Sequence, residues 1–437
     1  MDSTDKLKNE NTSLDDFEKM LKEQAKEPKK NNSALADFEN QLKAGVPAPN
    51  NATGQAPPGT IRVKKNLFLS FVSDGTGCGH IRNIFPLTYL NSLFSKPDVL
   101  HTVISPVFVT QPEMLQRAKI IFFQRQMAPE HLKLIKQYKQ HQEQLKYIMA
   151  WDMDDMIWGL NEEQGGDKYH GVPTYNFGAK NITSQIKQSS VEIMNLMDVC
   201  TFSTQFLADY AKNVLKVKAK CMVIPNAIPK YLWGDDMRPL PTKEELEKPT
   251  VLYTGSPTHY NNEKKKLGDW KNVWKDWVIK SVNNNEINFI CMGGLPWFFE
   301  PIKDKIKVLG WVGSYDYHNL VKKQNAHIAI MPLVRNDFNH AKSDLKYIEH
   351  SADCVPAIGT TFQKGVSPYD DNILKLDEHC DIGEIDEMFK KLKEPEYYDE
   401  VRQAQRKQMK DNGRWLETQT YIDHWKELFN ARTFNPK

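Results

Sequence analysis

Cysteine is scarce in this chain of 437 residues, and its six cysteines are scattered. None belongs to a C-x-x-C pair or to a Cys/His cluster at metal-ligand spacing, which excludes a zinc finger of the common kinds. Most of them stand beside apolar residues, as Cys200 and Cys291 do. We therefore expect small buried thiols in a reducing compartment, and a cytoplasmic location.

Long apolar runs and an excess of charge of one sign are also missing. No run approaches the ~20 residues that a membrane-spanning helix needs, and the polar N-terminus lacks the apolar core of a secretory signal. Lys and Arg number 58 against 56 Asp and Glu, a net charge of +2, so no global attraction to nucleic acid or anionic membrane is expected. Aromatic residues at 11% exclude a wholly disordered chain.

Residues 1–60 differ from the rest, because they are rich first in charged and amide side chains and then in Pro, Gly and Ala. This composition predicts a disordered tail and linker. The tail carries a duplicated segment, Leu14 to Leu21 and Leu35 to Leu42, with apolar residues at i, i+3 and i+7 in each copy. Such a stripe favours a short helix that docks on a partner protein. A transiently helical tail without a partner is the other interpretation.

From residue 61 onward, strand-sized apolar segments alternate with helical ones, and the pattern restarts after a break rich in Pro, Lys and Glu. This alternation predicts parallel sheets covered by helices. We expect an α/β protein with two doubly wound Rossmann-like domains facing a cleft: residues 61–237, which would hold the acceptor, and residues 250–415, which would hold the donor. Residues 238–249 form the predicted linker. An aromatic-rich C-terminal helix, 416–437, is expected to pack back on the first domain.

A glycine-rich turn, Ser73 to His80, lies between the first predicted strand and helix. Its glycines, among them Gly77 and Gly79, would let the backbone approach a ligand, and a helix N-terminus offers N–H groups to a phosphate. The spacing is neither the dinucleotide fingerprint nor a P-loop. A purely structural strand–helix turn is the alternative.

Three carboxylates, Asp152, Asp154 and Asp155, follow a predicted strand directly. Asp152 and Asp154 would suit a divalent cation, as in metal-dependent D-x-D sugar transferases. Alternatively, Asp154 or Asp155 would orient or deprotonate an acceptor hydroxyl at the carboxyl edge of the sheet. Simple capping of a helix N-terminus is the structural explanation.

A third segment spaces Lys342, Lys346 and Glu349 at i, i+4 and i+7, with Ser343 beside the first lysine. We predict that the three charged residues share one helix face. Two cations and a helix start suit a diphosphate, and the carboxylate would accept hydrogen bonds from a ribose. A solvated charged face is the alternative. Gly255 and Ser256, after the first strand of the second domain, form a comparable small polar turn.

These segments, in this order, resemble the family 4 nucleotide-sugar glycosyltransferases with the GT-B fold, in particular a subgroup with a D-x-D-D-x-x-W signature. The resemblance covers residues 64–430. It rests on Phe123-Gln-Arg125, Asp152 to Trp158, Phe202 to Ala208, Val223 to Pro229, Tyr253 to His259 and Asn339 to Glu349.

The resemblance implies that Lys342, Ser343 and the first glycine turn hold the donor diphosphate, with Glu349 on the ribose. We also expect Lys346, Gly255 and Ser256 at the donor. It implies a retaining transfer that requires no metal and no cofactor. The sequence departs from the family at two points. Ala341 replaces the first of a pair of glutamates, and an arginine of the second domain is absent near Ser256 and His259.

The predicted function is transfer of a sugar from a nucleoside-diphosphate sugar to an acceptor hydroxyl, with Asp154, Asp155 and Lys342 as catalytic residues. The acceptor stays open between a glycan precursor, a protein and a hydroxymethylated base in DNA. A metal-dependent transferase using Asp152 and Asp154 is the first alternative. A non-catalytic binding module docked through its tail is the second.

Overall fold

The computed structural model describes residues 65–93, 101–105, 108, 111–159, 182–363 and 365–431. The duplicated segments Leu14 to Leu21 and Leu35 to Leu42 lie outside these residues. Among the helices described, none has the length and apolar content needed to cross a membrane.

The first sheet has six strands in the order β2-β1-β3-β4-β5-β6, all parallel. Helices cover both of its faces, so the central strands are continuous apolar runs rather than alternating ones. Every residue of β1 and β4 is buried. The strands are β1 (Leu67–Phe71), β2 (His101–Ser105), β3 (Ala118–Gln124), β4 (Ile148–Met153), β5 (Val199–Phe202) and β6 (Lys220–Val223).

The second sheet repeats this plan with the order β12-β11-β10-β7-β8-β9, again parallel throughout. Its strands are β7 (Thr250–Thr254), β8 (Asn288–Met292), β9 (Lys307–Leu309), β10 (Ile328–Met331), β11 (Ala357–Thr361) and β12 (Leu374–Asp377). The predicted α/β class with two doubly wound Rossmann-like sheets is confirmed. The predicted domain boundaries stay predictions.

The helices that connect the strands begin and end with ordinary capping chemistry. Pro129 occupies the first turn of one helix, and Lys146 ends it in a left-handed conformation. The α-helices are Gly77–Gly79, Phe85–Leu93, Pro112–Arg117, Pro129–Leu145, Ile182–Leu196, Gln205–Asp209, Lys230–Trp233, Lys243–Glu247, Trp274–Asn283, Ser314–Lys323, Asp337–Ala341, Leu345–Ala352, Ile382–Leu392, Pro395–Asp411 and Gln419–Phe429. Short π-helical segments span His80–Ile84 and Tyr210–Val214, and 3-10 turns span Ile157–Gly159, Pro257–His259, Gly268–Trp270 and Trp297–Lys305.

The C-terminal helix Gln419–Phe429 lies against the first sheet. The ring of Trp425 is 5.8 Å from that of Phe122, and the ring of Phe429 is 5.4 Å from that of Phe68. A parallel bridge between Ile228 and Trp415 brings the chain there. The last helix therefore covers a face of the sheet built at the start of the chain.

Strand order also indicates where ligands bind. In open parallel sheets, the crevice lies at the carboxyl ends of the strands where the order reverses. In the first sheet this point is between β1 and β3, and the glycine turn follows β1. In the second sheet it is between β7 and β10, and Gly255 and Ser256 follow β7. Both glycine turns therefore lie at a switch point.

Candidate functional site

The glycine turn after β1 is built around the Asp74 carboxylate. Its Oδ1 accepts hydrogen bonds from the Thr76 N–H (2.9 Å), the Thr76 hydroxyl (2.6 Å) and the Gly79 N–H (3.1 Å). Burial would raise the pKa of Asp74, but Arg125 and these hydrogen bonds lower it below its usual value. The start of this helix thus already holds an anion that belongs to the protein.

The two predicted glycines of this turn differ in their surroundings. A Cβ on Gly79 would lie 1.9 Å from the Asp74 carbonyl oxygen, whereas a Cβ on Gly77 would meet no described atom within 4 Å. Gly79 is therefore required by the turn itself. Gly77 has an open face that a ligand can approach, and the predicted contact of either residue with the donor stays a prediction.

Asp152 is fully buried and held by an ion pair. Arg82 Nη2 lies 2.5 Å from Asp152 Oδ1, Arg82 Nε lies 3.1 Å from Oδ2, and the Thr201 hydroxyl donates to Oδ1 at 2.6 Å. Arg82 also donates to the Asn226 amide oxygen at 3.0 Å. Both carboxylate oxygens thus have protein partners, which disfavours Asp152 as a metal ligand.

Asp154 and Asp155 differ from Asp152 in their surroundings, because their carboxylates lie near the Cys78 thiol. One ligand atom from each of these three residues lies within 4.8 Å of the others, so by distance they can hold a metal ion. Arg125 Nε lies 3.4 Å from Asp154 Oδ1. Burial raises the pKa of Asp155, and Asp154 adds to this effect, while Lys342 opposes it. Two protein cations therefore already compensate the charge that a metal would balance.

The predicted single helix face for Lys342, Lys346 and Glu349 is wrong. One helix ends at Ala341, Lys342 is extended with φ −61° and ψ 152°, and a second helix runs over Leu345–Ala352. Only Lys346 and Glu349 share that second helix. Lys342 lies in the break, where its Nζ is 4.3 Å from the centre of the Phe338 ring.

Residues of the first half of the chain and of its C-terminal part hold this break. The Asn226 amide donates to the Ser343 hydroxyl at 2.7 Å, and Arg414 Nη2 donates to both Asp344 oxygens at 2.8 and 2.9 Å. The Thr204 hydroxyl donates to the Ala341 carbonyl at 3.3 Å. The ends of the two sheets therefore meet at the segment that carries Lys342 and Ser343.

Lys346 ends a chain of hydrogen bonds that begins at a buried carboxylate. The Asn339 amide donates to Asp269 Oδ1 at 2.5 Å, and His259 Nδ1 lies 2.6 Å from Asp269 Oδ2. Lys346 Nζ is 2.8 Å from His259 Nε2. Asp269, His259 and Asn339 are buried, while Lys346 is partly exposed.

This chain has an unusual titration pattern. Burial and the neighbouring Lys342 ammonium together lower the pKa of Lys346 to about 7, against the opposing effect of Asp269. Burial raises the pKa of Asp269 to about 6. Burial also lowers the pKa of His259 well below its usual value, and the two lysines add to this. At neutral pH the imidazole is therefore uncharged and Asp269 is ionised.

Glu349 is buried on the same helix as Lys346 and accepts a hydrogen bond from the Tyr317 hydroxyl at 3.2 Å. Burial raises its pKa to about 7, although Tyr317 and Lys346 act in the opposite direction. Near neutral pH a carboxyl group with this pKa is only partly ionised. It can therefore accept a hydrogen bond from a ligand hydroxyl or donate one to it.

Gly255 and Ser256 belong to the tight turn after β7. A Cβ on Gly255 would lie 2.2 Å from the Tyr253 hydroxyl oxygen, and the Ser256 hydroxyl lies 2.6 Å from that of Thr258. Gly255 is therefore required by local packing. A donor contact of Gly255 or Ser256 stays a prediction.

The structure thus brings Lys342 and Lys346 together near Asp155, with Glu349 close to Lys346, although the three residues are not on one helix. Sequence reasoning assigned no role to Asp269, Asn339 or Tyr317. Asp269 stands in a segment that also holds Lys266, Lys271 and Asn272, so nothing in the local sequence marks it as a buried acid.

No family model matches this sequence, and no curated protein matches it. Solved structures do match its fold. The match to a glycosyltransferase from Rickettsia africae ESF-5 covers 84% of this chain and 98% of that protein, with 14% identity and a TM-score of 0.52. The match to sucrose-phosphate synthase from Thermosynechococcus elongatus covers 84% of this chain and 98% of that protein, with 11% identity and a TM-score of 0.53.

A third structure, HepE from Anabaena in complex with UDP-glucose, covers 83% of this chain and 99% of its own. Its identity is 9% and its TM-score 0.50. At these identities the similarity establishes the fold alone. The chain has the GT-B fold, in which two Rossmann-like domains are arranged as in these glycosyltransferases.

Proposed function

We propose that this protein is a glycosyltransferase that moves a sugar from a nucleoside-diphosphate sugar to an acceptor hydroxyl in the cleft between the two sheets. The observation that carries the proposal is that Lys342 and Lys346 lie near Asp155 of the other sheet, with Glu349 on the same helix as Lys346. The pKa shift of Asp155 reflects both lysines, so these charges share one region. The GT-B fold shared with known glycosyltransferases supports the proposal.

The main chemical task is stabilisation of the departing nucleoside diphosphate. Fixed cations aimed at the place where negative charge develops are usually the largest contribution to such catalysis. Lys342 lies in an extended break held by Asn226 and Arg414, so its position is set before a ligand arrives. Lys346 supplies the second cation, and Glu349 is the proposed partner of the ribose hydroxyls.

The acceptor is proposed to approach from the side of Asp154 and Asp155. A partly buried carboxylate with a raised pKa suits the orientation or deprotonation of a hydroxyl. From the resemblance of the sequence to family 4 enzymes, we propose that the reaction retains the anomeric configuration. We also propose that it needs no metal, because Lys342 and Arg125 already oppose the charge of these acids. A glycan precursor and a hydroxymethylated DNA base both stay open as acceptors, and no feature among the described residues favours the DNA base.

Two other functions make different predictions. A metal-dependent transferase would lose its activity in chelator. The predicted ligand pair, Asp152 and Asp154, is disfavoured because Asp152 is paired with Arg82. Cys78, Asp154 and Asp155 would have to hold the metal instead. A non-catalytic binding module would bind nucleotide sugars without turnover.

The test is a screen of nucleoside-diphosphate sugars, with and without glycan, protein and modified-DNA acceptors, read by mass spectrometry in the presence of chelator. We expect at least one donor to be hydrolysed or transferred, with release of its nucleoside diphosphate. Saturable binding without any turnover would instead favour the binding module. Turnover that requires added metal would refute the metal-independent mechanism.

A further inference from the structure

The hydrogen-bonded chain Asn339–Asp269–His259–Lys346 is more elaborate than anion binding requires. A surface lysine binds phosphate without a histidine behind it. Here both ring nitrogens of His259 have partners, Asp269 and Lys346, and both oxygens of Asp269 have partners, His259 and Asn339. The arrangement fixes which atoms donate and which accept.

We propose that His259 and Asp269 are positioning residues that hold the Lys346 amine toward the donor diphosphate and couple diphosphate binding to the uptake of one proton. This inference rests on the proposed function, since it assumes that the donor binds at Lys342 and Lys346. His259 contacts the lysine directly and Asp269 acts through His259, and neither residue is proposed to contact the donor.

The geometry determines the tautomer of His259. Nδ1 faces the Asp269 carboxylate and therefore donates, while Nε2 faces the Lys346 amine and therefore accepts. The imidazole then carries one proton and no charge. Because Asp269 is held in turn by Asn339, the ring cannot rotate without losing both hydrogen bonds. The lysine amine is thereby fixed at the end of a rigid chain.

The charges around Lys346 come from several elements. Lys342 repels it from the break before its own helix, while Asp269, Glu349 and Asp155 attract it. Without a ligand the amine has a pKa of about 7. A diphosphate placed between the two lysines would add negative charge beside the amine and raise this pKa. Binding above pH 7 therefore draws a proton from solution onto Lys346.

The protonation of Lys346 determines how the affinity for the diphosphate changes with pH. Below pH 7 Lys346 is already protonated, and the diphosphate binds without proton uptake. Above pH 7 the free amine is neutral, so the affinity falls as the pH rises, by roughly tenfold between pH 7 and pH 8.5. The terminal phosphate of a nucleoside diphosphate titrates near pH 6 and contributes little in this range.

The experiment is calorimetric titration of the full chain with UDP, and with ADP and GDP as alternative probes. Titrations at pH 8 in two buffers with different ionisation enthalpies report the number of protons taken up. We expect uptake that approaches one proton for the wild type, and loss of this uptake together with a flat pH profile for Lys346→Met.

Three variants separate positioning from general damage. Asp269→Asn should move the fall in affinity to lower pH and weaken UDP binding several-fold at pH 7.5, because the lysine loses its nearest counter-charge. His259→Leu should weaken binding at every pH. His259→Gln should recover most of the affinity, since its amide can donate to Asp269 and accept from Lys346.

The matched control is Asp353→Asn. Asp353 is another buried acid of the same half, but it is paired with Arg238 rather than with the lysine chain. This variant should lower stability without moving the pH profile of UDP binding. Equal pH profiles in the wild type, Lys346→Met and Asp269→Asn would overturn the inference while leaving the donor site intact. Absence of binding by UDP, ADP and GDP would overturn the donor site and the inference together.

Discussion

The two sides of the cleft use their charges differently. At the ends of β1 and β4, two acids are stabilised inside the protein: Asp152 by its ion pair with Arg82, and Asp74 by Arg125 and the hydrogen bonds of its own turn. Beyond β7 and β10, Lys342 lies close enough to lower the pKa of Lys346, and the Lys346 amine contacts the buried His259. Asp152 and Asp74 on the first side thus serve the fold, whereas the second side carries the positive charge that the proposed donor site requires.

The same comparison separates acids that look equivalent in the sequence. Asp152, Asp154 and Asp155 stand within four positions, yet Asp152 faces a buried guanidinium while Asp155 faces the lysines across the cleft. Asp152 belongs to β4, which ends at Met153, whereas Asp154 and Asp155 lie in the turn after the strand and therefore enter a different environment.

The largest expected effect concerns the neutralised pair. Arg82→Met leaves the Asp152 carboxylate buried without its partner and should lower the free energy of unfolding by about 3–5 kcal/mol. Denaturant unfolding followed by circular dichroism measures this change. The double variant Arg82→Met/Asp152→Leu should recover much of the loss. A single variant as stable as the wild type would contradict the structural role of this pair.

The two glycines of the first turn offer a matched comparison. Gly79→Ala places a methyl group against the Asp74 carbonyl and should cost about 1–3 kcal/mol of stability. Gly77→Ala meets no such obstacle and should leave the melting temperature nearly unchanged while weakening nucleotide binding. Thermal unfolding and UDP titration of both variants check the pair. Equal losses of stability in the two variants would contradict the conclusion that the space beside Gly77 is open.

Lys342→Ala removes a cation from the ligand-facing side. Turnover of the donor should fall by more than tenfold, over ~1.4 kcal/mol of transition-state stabilisation, with little change in the melting temperature. Lys280→Ala is the control, because Lys280 is an exposed lysine of the same half that pairs with Asp386 on the surface. Turnover of Lys342→Ala within twofold of this control would exclude Lys342 from the active site.

The smallest effect is expected at the seam between the two sides. The Thr204 hydroxyl caps the helix Gln205–Asp209 and also donates to the Ala341 carbonyl. Thr204→Val should cost about 1 kcal/mol of stability, and Thr204→Ser should restore most of it. Chemical unfolding of both variants measures the difference. A loss in the valine variant that serine does not restore would place the effect in packing of the methyl group rather than in the hydroxyl.

Much of the fold could be predicted because it depends on local patterns. Strands such as β1 and β4 are short apolar runs buried on both faces, and helices such as Pro129–Leu145 carry their own start signals. Two strands at sheet edges gave no such signal. All residues of β2, His101–Ser105, are only half-buried, and β12, Leu374–Asp377, alternates with charged residues.

The site was harder to predict, since its decisive contacts join distant parts of the chain. Spacing alone placed Lys342 on a helix with Lys346. The actual break after Ala341 is held by Arg414 on Asp344 and by Asn226 on Ser343, contacts that span 70 and 117 positions. The relation of Asp269 to Lys346 depends in the same way on folding of the whole second sheet.

The most direct test of the account is a structure of the protein determined with UDP bound. We predict that the diphosphate oxygens lie about 3 Å from the Nζ atoms of Lys342 and Lys346, with the ribose against Glu349 and the open face of Gly77 across the cleft. A nucleotide bound elsewhere, with both lysine amines directed to solvent, would contradict the account.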